Sequence, residues 1–155
     1  MVNYAGGAGR VPYRAMSDVI DGLLGATVFA GVGVVLLIGG FLLTDWLTPG
    51  ALRHQIWSER NGNAAIFLSS ALLGVGAIVF TSIITTYDDM VTGLASTAIF
   101  GVLGLLLMAA AFWVVDLLTP GRLGELLVDP QPHPAVWVSS ATNLAIAAIV
   151  CASIS

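Results

Sequence analysis

Four stretches without Asp, Glu, Lys or Arg divide the chain: Gly22 to Thr44, Asn61 to Tyr87, Met90 to Val115 and Pro130 to Ser155. Each reaches the roughly 20 residues a helix needs to cross about 30 Å of hydrocarbon. Strands are disfavoured, because an open sheet leaves edge groups unpaired in lipid and the alternation of a barrel strand is missing. The pattern predicts an all-α membrane protein with four transmembrane helices at 20–44, 63–86, 91–116 and 134–154. Residues 1–19 are Gly-rich, weakly polar and without an apolar period at their start, and read as a flexible or interface-lying tail. The first apolar run exceeds the roughly 7–15 residues of a secretory signal core, so it is expected to stay as a span.

The four spans are not independent. Phe41, Asp45, Leu47, Thr48, Pro49, Gly50 and Leu52 recur as Phe112, Asp116, Leu118, Thr119, Pro120, Gly121 and Leu123 at a constant offset of 71 residues. The same register aligns Ala77-Ile-Val with Ala148-Ile-Val. Two tandem, parallel two-helix repeats are expected, 20–86 and 91–155. After each Thr-Pro-Gly comes a short amphipathic segment, 49–59 and 120–128, with Leu52 and Ile56 or Leu123, Leu126 and Leu127 on one helical face. Such segments read as interfacial helices. Thr48 and Thr119 suit the N-cap of these helices, with Pro49 and Pro120 at the first helical position; a plain Pro-Gly turn is the alternative. The short connection Thr85-Thr-Tyr-Asp-Asp-Met makes spans two and three antiparallel neighbours.

Composition supports a bilayer environment. Hydrophobic residues are 57% and charged residues 9%, against about 45–50% and about 25% in soluble domains. Five Arg, no Lys and nine acids give a net charge of −4, which excludes the basic surface that nucleic acid requires. The lipid bilayer is the expected partner. Trp46, Trp57, Trp113 and Trp137 all flank the long connections, as in an interfacial aromatic belt. Arg53, Arg60 and Arg122 lie on that side, and Arg10 and Arg14 on the other with Asp88 and Asp89. The positive-inside rule then sets connections 45–62 and 116–133 in the cytoplasm and both termini outside.

Candidate chemistry is sparse. Asp45 and Asp116 each stand in the last turn of a span, where an anion opposes the helix dipole at roughly 0.3–1 kcal/mol. They are read either as partners of Arg53 and Arg122 or as markers of the water boundary. Ser, Thr and Asn inside the spans, Asn143 foremost, suit bonds between helices or the lining of a solute path. Small residues at four-residue spacing, Gly22-Ala26-Ala30, Ser70-Gly74 and Gly93-Thr97-Gly101, suit close helix packing. His54 and His133 have no partners at metal-binding spacing, no span contains a His for haem, and no nucleophile, base and orienting acid assemble. The lone Cys151 reads as a packed apolar residue. No cofactor, metal or catalytic residue is expected.

The Thr-Pro element, the surface segment after it and Asn61-Gly-Asn-Ala-Ala65 together resemble the small bacterial inner-membrane family known as domain of unknown function 350, the YjfL-like proteins. The resemblance spans residues 20–155. It implies a bacterial plasma membrane and cytoplasmic long connections, but no established activity. The first copy carries Asn63-Ala64-Ala65, where the second has His133-Pro134-Ala135. The expected role is that of a non-enzymatic membrane component, either a homo-oligomer or an accessory subunit of a larger complex such as a respiratory or envelope-stress assembly. The alternative is a small-solute or ion channel formed by an oligomer.

Overall fold

The computed structural model describes residues 11–86, 90–118, 123–129 and 131–155, with side chains from Met16 onward. The described residues form six helices and no strand: α1 (Val11–Leu47), α2 (Leu52–Trp57), α3 (Gly62–Thr85), α4 (Met90–Leu118), α5 (Leu123–Val128) and α6 (Ala135–Ile154). Four of these, α1, α3, α4 and α6, are long and apolar enough to cross a membrane. Three match the expected spans to within two residues. The first does not.

α1 is 37 residues long and begins at Val11, where a tail to residue 19 was expected. Two physical features explain the difference. Pro12 falls in the first helical turn, where its missing N–H forfeits no helical bond, and Met16, Val19, Ile20 and Leu23 already recur at helical spacing. Residues 1–10 lie outside the described residues.

α3 and α4 each pack against the other three long helices and form the centre, while α1 and α6 flank them. The most extensive contact joins α3 to α6, two helices that start at the same end of the bundle. Gly74 carries this contact: a Cβ there would stand 3.1 Å from Ala147 Cβ and 3.5 Å from the Asn143 carbonyl oxygen. α4 turns one face inward, Gly93, Thr97, Gly101, Gly104, Met108 and Phe112, at steps of three and four residues. Leu36 of α1 fills the notch at Gly101, and Ile78 of α3 fills the one at Gly104. The Gly22-Ala26-Ala30 series is different. All three are exposed, and nothing lies within 4 Å of where a Gly22 Cβ would be.

One core cluster joins Leu36, Val75, Ile78, Val79, Met108, Ala147 and Val150. A second lies nearer the long connections, where Leu123, Leu127 and Val136 surround the Phe67–Phe112 pair, whose rings are 5.5 Å apart. Thus α5 is folded back onto the bundle through Leu123 and Leu127, and α2 through the fully buried Leu52, which packs with Ala64 and Leu68. Ile56 and Leu126, from the same predicted faces, are half-buried.

Candidate functional site

Most of the side-chain hydrogen bonds that cross the fold gather at the end of the bundle that carries the long connections. The site begins where α1 stops. Thr48 does not cap α2: its hydroxyl donates back to the Thr44 carbonyl at 2.8 Å, and its N–H donates to the same oxygen at 3.1 Å. The Thr48 side chain therefore closes α1, and a turn follows before α2 begins. Gly50 makes that turn with φ +91°, a left-handed conformation that costs glycine little. A Cβ at Gly50 would also meet Gln55 Nε2 at 2.8 Å, the nitrogen that donates to the Pro49 carbonyl at 3.0 Å. Pro49 consequently precedes α2 instead of opening it. Thr119, Pro120, Gly121 and Arg122 lie outside the described residues.

The cap of α2 comes from the preceding helix. Asp45 Oδ1 accepts from the Leu52 N–H at 2.7 Å, and Asp116 Oδ1 accepts from the Leu123 N–H at 2.5 Å. Each carboxylate belongs to the last turns of one helix but sits at the positive end of the next, which offsets the unfavourable position noted in the sequence. Of the two readings of Asp45, a pair with Arg53 does not occur among the described ion pairs. Arg53 is exposed, and the ion pair among the described residues is His54 Nε2 with Glu59 Oε1 at 3.5 Å. The backbone N–H at the start of α2 is fixed, whereas an exposed arginine must be ordered to pair.

Two asparagines then tie the halves of the chain together. Asn61, 2% exposed, accepts at Oδ1 from the N–H groups of Asn63 and Ala64, at 2.9 and 3.2 Å, and so caps α3. Its Nδ2 donates to the carbonyls of Leu127 and Val128 at 3.1 and 2.9 Å. Asn63 Nδ2 donates to the carbonyls of Asp129 and Gln131 at 2.8 and 2.7 Å, and its Oδ1 accepts from the His133 N–H at 3.4 Å. The two side chains satisfy five backbone groups, two in the last turn of α5 and three in the segment that joins it to α6. Asn61 was absent from the predicted site residues, although an Asn before a glycine that opens an apolar run is an N-cap signal. No role for His133 follows from the sequence; its Nδ1 accepts from the Ala135 N–H at 3.1 Å in the first turn of α6.

Deeper in the bundle, Asn143 Nδ2 donates to Ser70 Oγ at 3.1 Å, and Ser70 Oγ donates to the Phe67 carbonyl at 2.7 Å. Near the opposite end Thr97 Oγ1 lies 3.2 Å from Ser82 Oγ. These bonds cross between helices, α3 to α6 and α3 to α4. No group of three or more His, Cys, Asp or Glu that could hold a metal is present among the described residues. Cys151 is half-buried against the core. Trp46, Trp57, Trp113 and Trp137 are all exposed at the long-connection end. Among the larger cavities, one of about 480 Å³ is lined there by Trp46, Asp116, Gly124 and Glu125; another of about 510 Å³ lies at the far end beside Gly22, Gly25 and Phe29.

The site is a set of caps and clasps that hold two connections against four apolar helices, and its relatives are membrane proteins. The chain is 29% identical over 140 residues to a UPF0719 transmembrane protein of Mycolicibacterium paratuberculosis, covering 90% of this chain and 93% of that protein. It is 27% identical over 141 residues to a UPF0719 transmembrane protein of Mycobacterium bovis, covering 91% and 93%. No solved structure matches. The model of the family described as Domain of Unknown Function (DUF350) matches residues 18–154, and this multi-pass transmembrane chain belongs to that family.

Proposed function

We propose that the chain is a non-enzymatic subunit of a bacterial plasma-membrane assembly, joined to further copies of itself or to other membrane subunits. The observation that carries this reading is where the polar groups are spent. Asn61, Asn63, Ser70, Ser82 and Thr97 bond to one another or to the protein's own backbone. A buried polar group committed to such bonds holds the fold and is a poor solute ligand. The channel reading therefore draws less support. Meanwhile α1 and α4 have only 22% of their most apolar windows buried inside the bundle, against 50% for α3, which leaves broad faces for lipid or for neighbouring helices.

Two further points belong to the reading. The chain is a tandem duplication, since Asp45 and Asp116 each reach seven residues forward to the same helix position. The Trp-flanked end, with α2 and α5 in the interface, faces the cytoplasm and both termini lie outside. Gentle detergent extraction followed by native mass measurement tests the assembly. The expected result is a mass above that of one chain, and a free monomer under every mild condition would discard the proposal. For the orientation, single cysteines at positions 54 and 125 are expected to be modified from the cytoplasmic side only.

A further inference from the structure

A small cavity lies where all four long helices meet. Its volume is about 10 Å³, and α1, α3, α4 and α6 all contribute to its wall, which is apolar except for Thr44 and Asn143. That volume admits one water molecule. Asn143 is 3% exposed and Thr44 4%, and Asn143 lies about 12 Å along α6 from Ala135 at 1.5 Å per residue. Bulk water does not reach this depth of a bilayer.

The hydrogen-bonding capacity of the wall is specific. Among the described residues the Asn143 side chain makes one hydrogen bond, its donation to Ser70 Oγ. One amide N–H and the carbonyl oxygen remain available. Thr44 Oγ1 donates to the Gly40 carbonyl at 2.8 Å, which commits its proton and leaves its lone pairs. The two polar side chains of the wall thus retain one donor and two acceptors between them, the complement of a water with two O–H groups and a lone pair. Neither a leucine nor a cation fits that set: the first has no polar atom, and the second would face an N–H with no counter-charge.

We propose that this cavity is a hydration site holding one water molecule, which accepts from the Asn143 amide and donates to Asn143 Oδ1 and Thr44 Oγ1. The water links α6 to α1, flanking helices on either side of the α3–α4 centre. It completes the coordination of an amide that would otherwise be half-satisfied in hydrocarbon.

The test is a water-to-amide Overhauser measurement in the rotating frame on ¹⁵N-labelled protein in phosphatidylglycerol and phosphatidylcholine nanodiscs. A long-lived bound water gives the Asn143 side-chain protons a cross-peak of opposite sign to the diagonal, whereas exchange with bulk water gives the same sign. The expected result is the opposite-sign peak in the native chain, weakened at least threefold in Thr44→Val and retained in Thr44→Ser. A native spectrum of folded protein with no such peak, or a same-sign peak alone, overturns the proposal. Equal intensity in Thr44→Val overturns it as well, since the water would then not rest on Thr44. The native measurement stands even where a variant does not fold.

Discussion

In the first long connection Asp45 caps the short helix that follows it, and in the second Asp116 does the same, yet the two connections enter their next span by different means. α3 starts from Asn61, whose carboxamide oxygen takes two N–H groups of the first turn. At the 71-residue offset the positions of Asn61 and Asn63 are held by Pro132 and Pro134, which have no N–H and no side-chain acceptor. α6 relies instead on His133 Nδ1 for one N–H. The difference teaches how the halves are joined. The asparagines of one connection supply hydrogen bonds to the backbone of the other, so the second connection is held from outside and can be built from prolines.

Six single variants would break or sharpen that contrast, all read from unfolding of the purified protein in detergent. The largest effect is expected at Asn61. Asn61→Ala removes a cap, at about 0.5–2 kcal/mol, and strips the buried Leu127 and Val128 carbonyls of a donor, at about 1–3 kcal/mol. A total loss of about 2–4 kcal/mol is expected, and a loss below about 1 kcal/mol would show that the halves are held elsewhere. Next comes Gly124, where a Cβ would lie 2.6 Å from Pro49 Cδ, a direct touch between the two connections. Because the proline ring is stiff, Gly124→Val is expected to cost about 1–3 kcal/mol through overpacking.

Asp45→Ala and Asp116→Ala follow, each expected to cost about 1 kcal/mol as a lost cap. Similar values would mark the shared device, and a large inequality would separate the two connections further. Arg53→Ala is expected to stay within about 0.5 kcal/mol of the native chain. Its combination with Asp45→Ala should be additive, and non-additivity would restore the ion pair. A comparably small effect is expected at His133→Ala, about 0.5 kcal/mol for one half-exposed bond. A loss as large as that of Asn61→Ala would erase the asymmetry between the entries to α3 and α6.

Several features were legible before the structure because they depend on neighbours in sequence. Thr48 before Pro49 marks the end of α1, since proline disfavours a helical residue ahead of it. The Gly93-Thr97-Gly101 spacing placed small residues on one face of α4, and Leu36 occupies that face at Gly101. Asn143 stood out as an amide needing a partner, and Ser70 supplies it. The same local reading erred at Thr48, which suits a cap by type but is drawn back to Thr44. For Asp45 it offered an arginine or the water boundary and missed the backbone N–H of Leu52, which no list of charged residues contains.

The sequence by itself determined four membrane-length helices, because hydrocarbon tolerates a charge-free run of this length only as a structure that satisfies its own backbone. It also determined that the four tryptophans gather at the connecting end. Only the tertiary structure decided that α3 pairs most closely with α6, and that Asn61 and Asn63 hold a segment 66–70 residues away. The physical reason is range: hydropathy is summed along one helix, whereas a hydrogen bond across the bundle depends on crossing geometry to within a few tenths of an ångström. That geometry is set by which small residues meet which large ones, and it exists only once all four helices are packed.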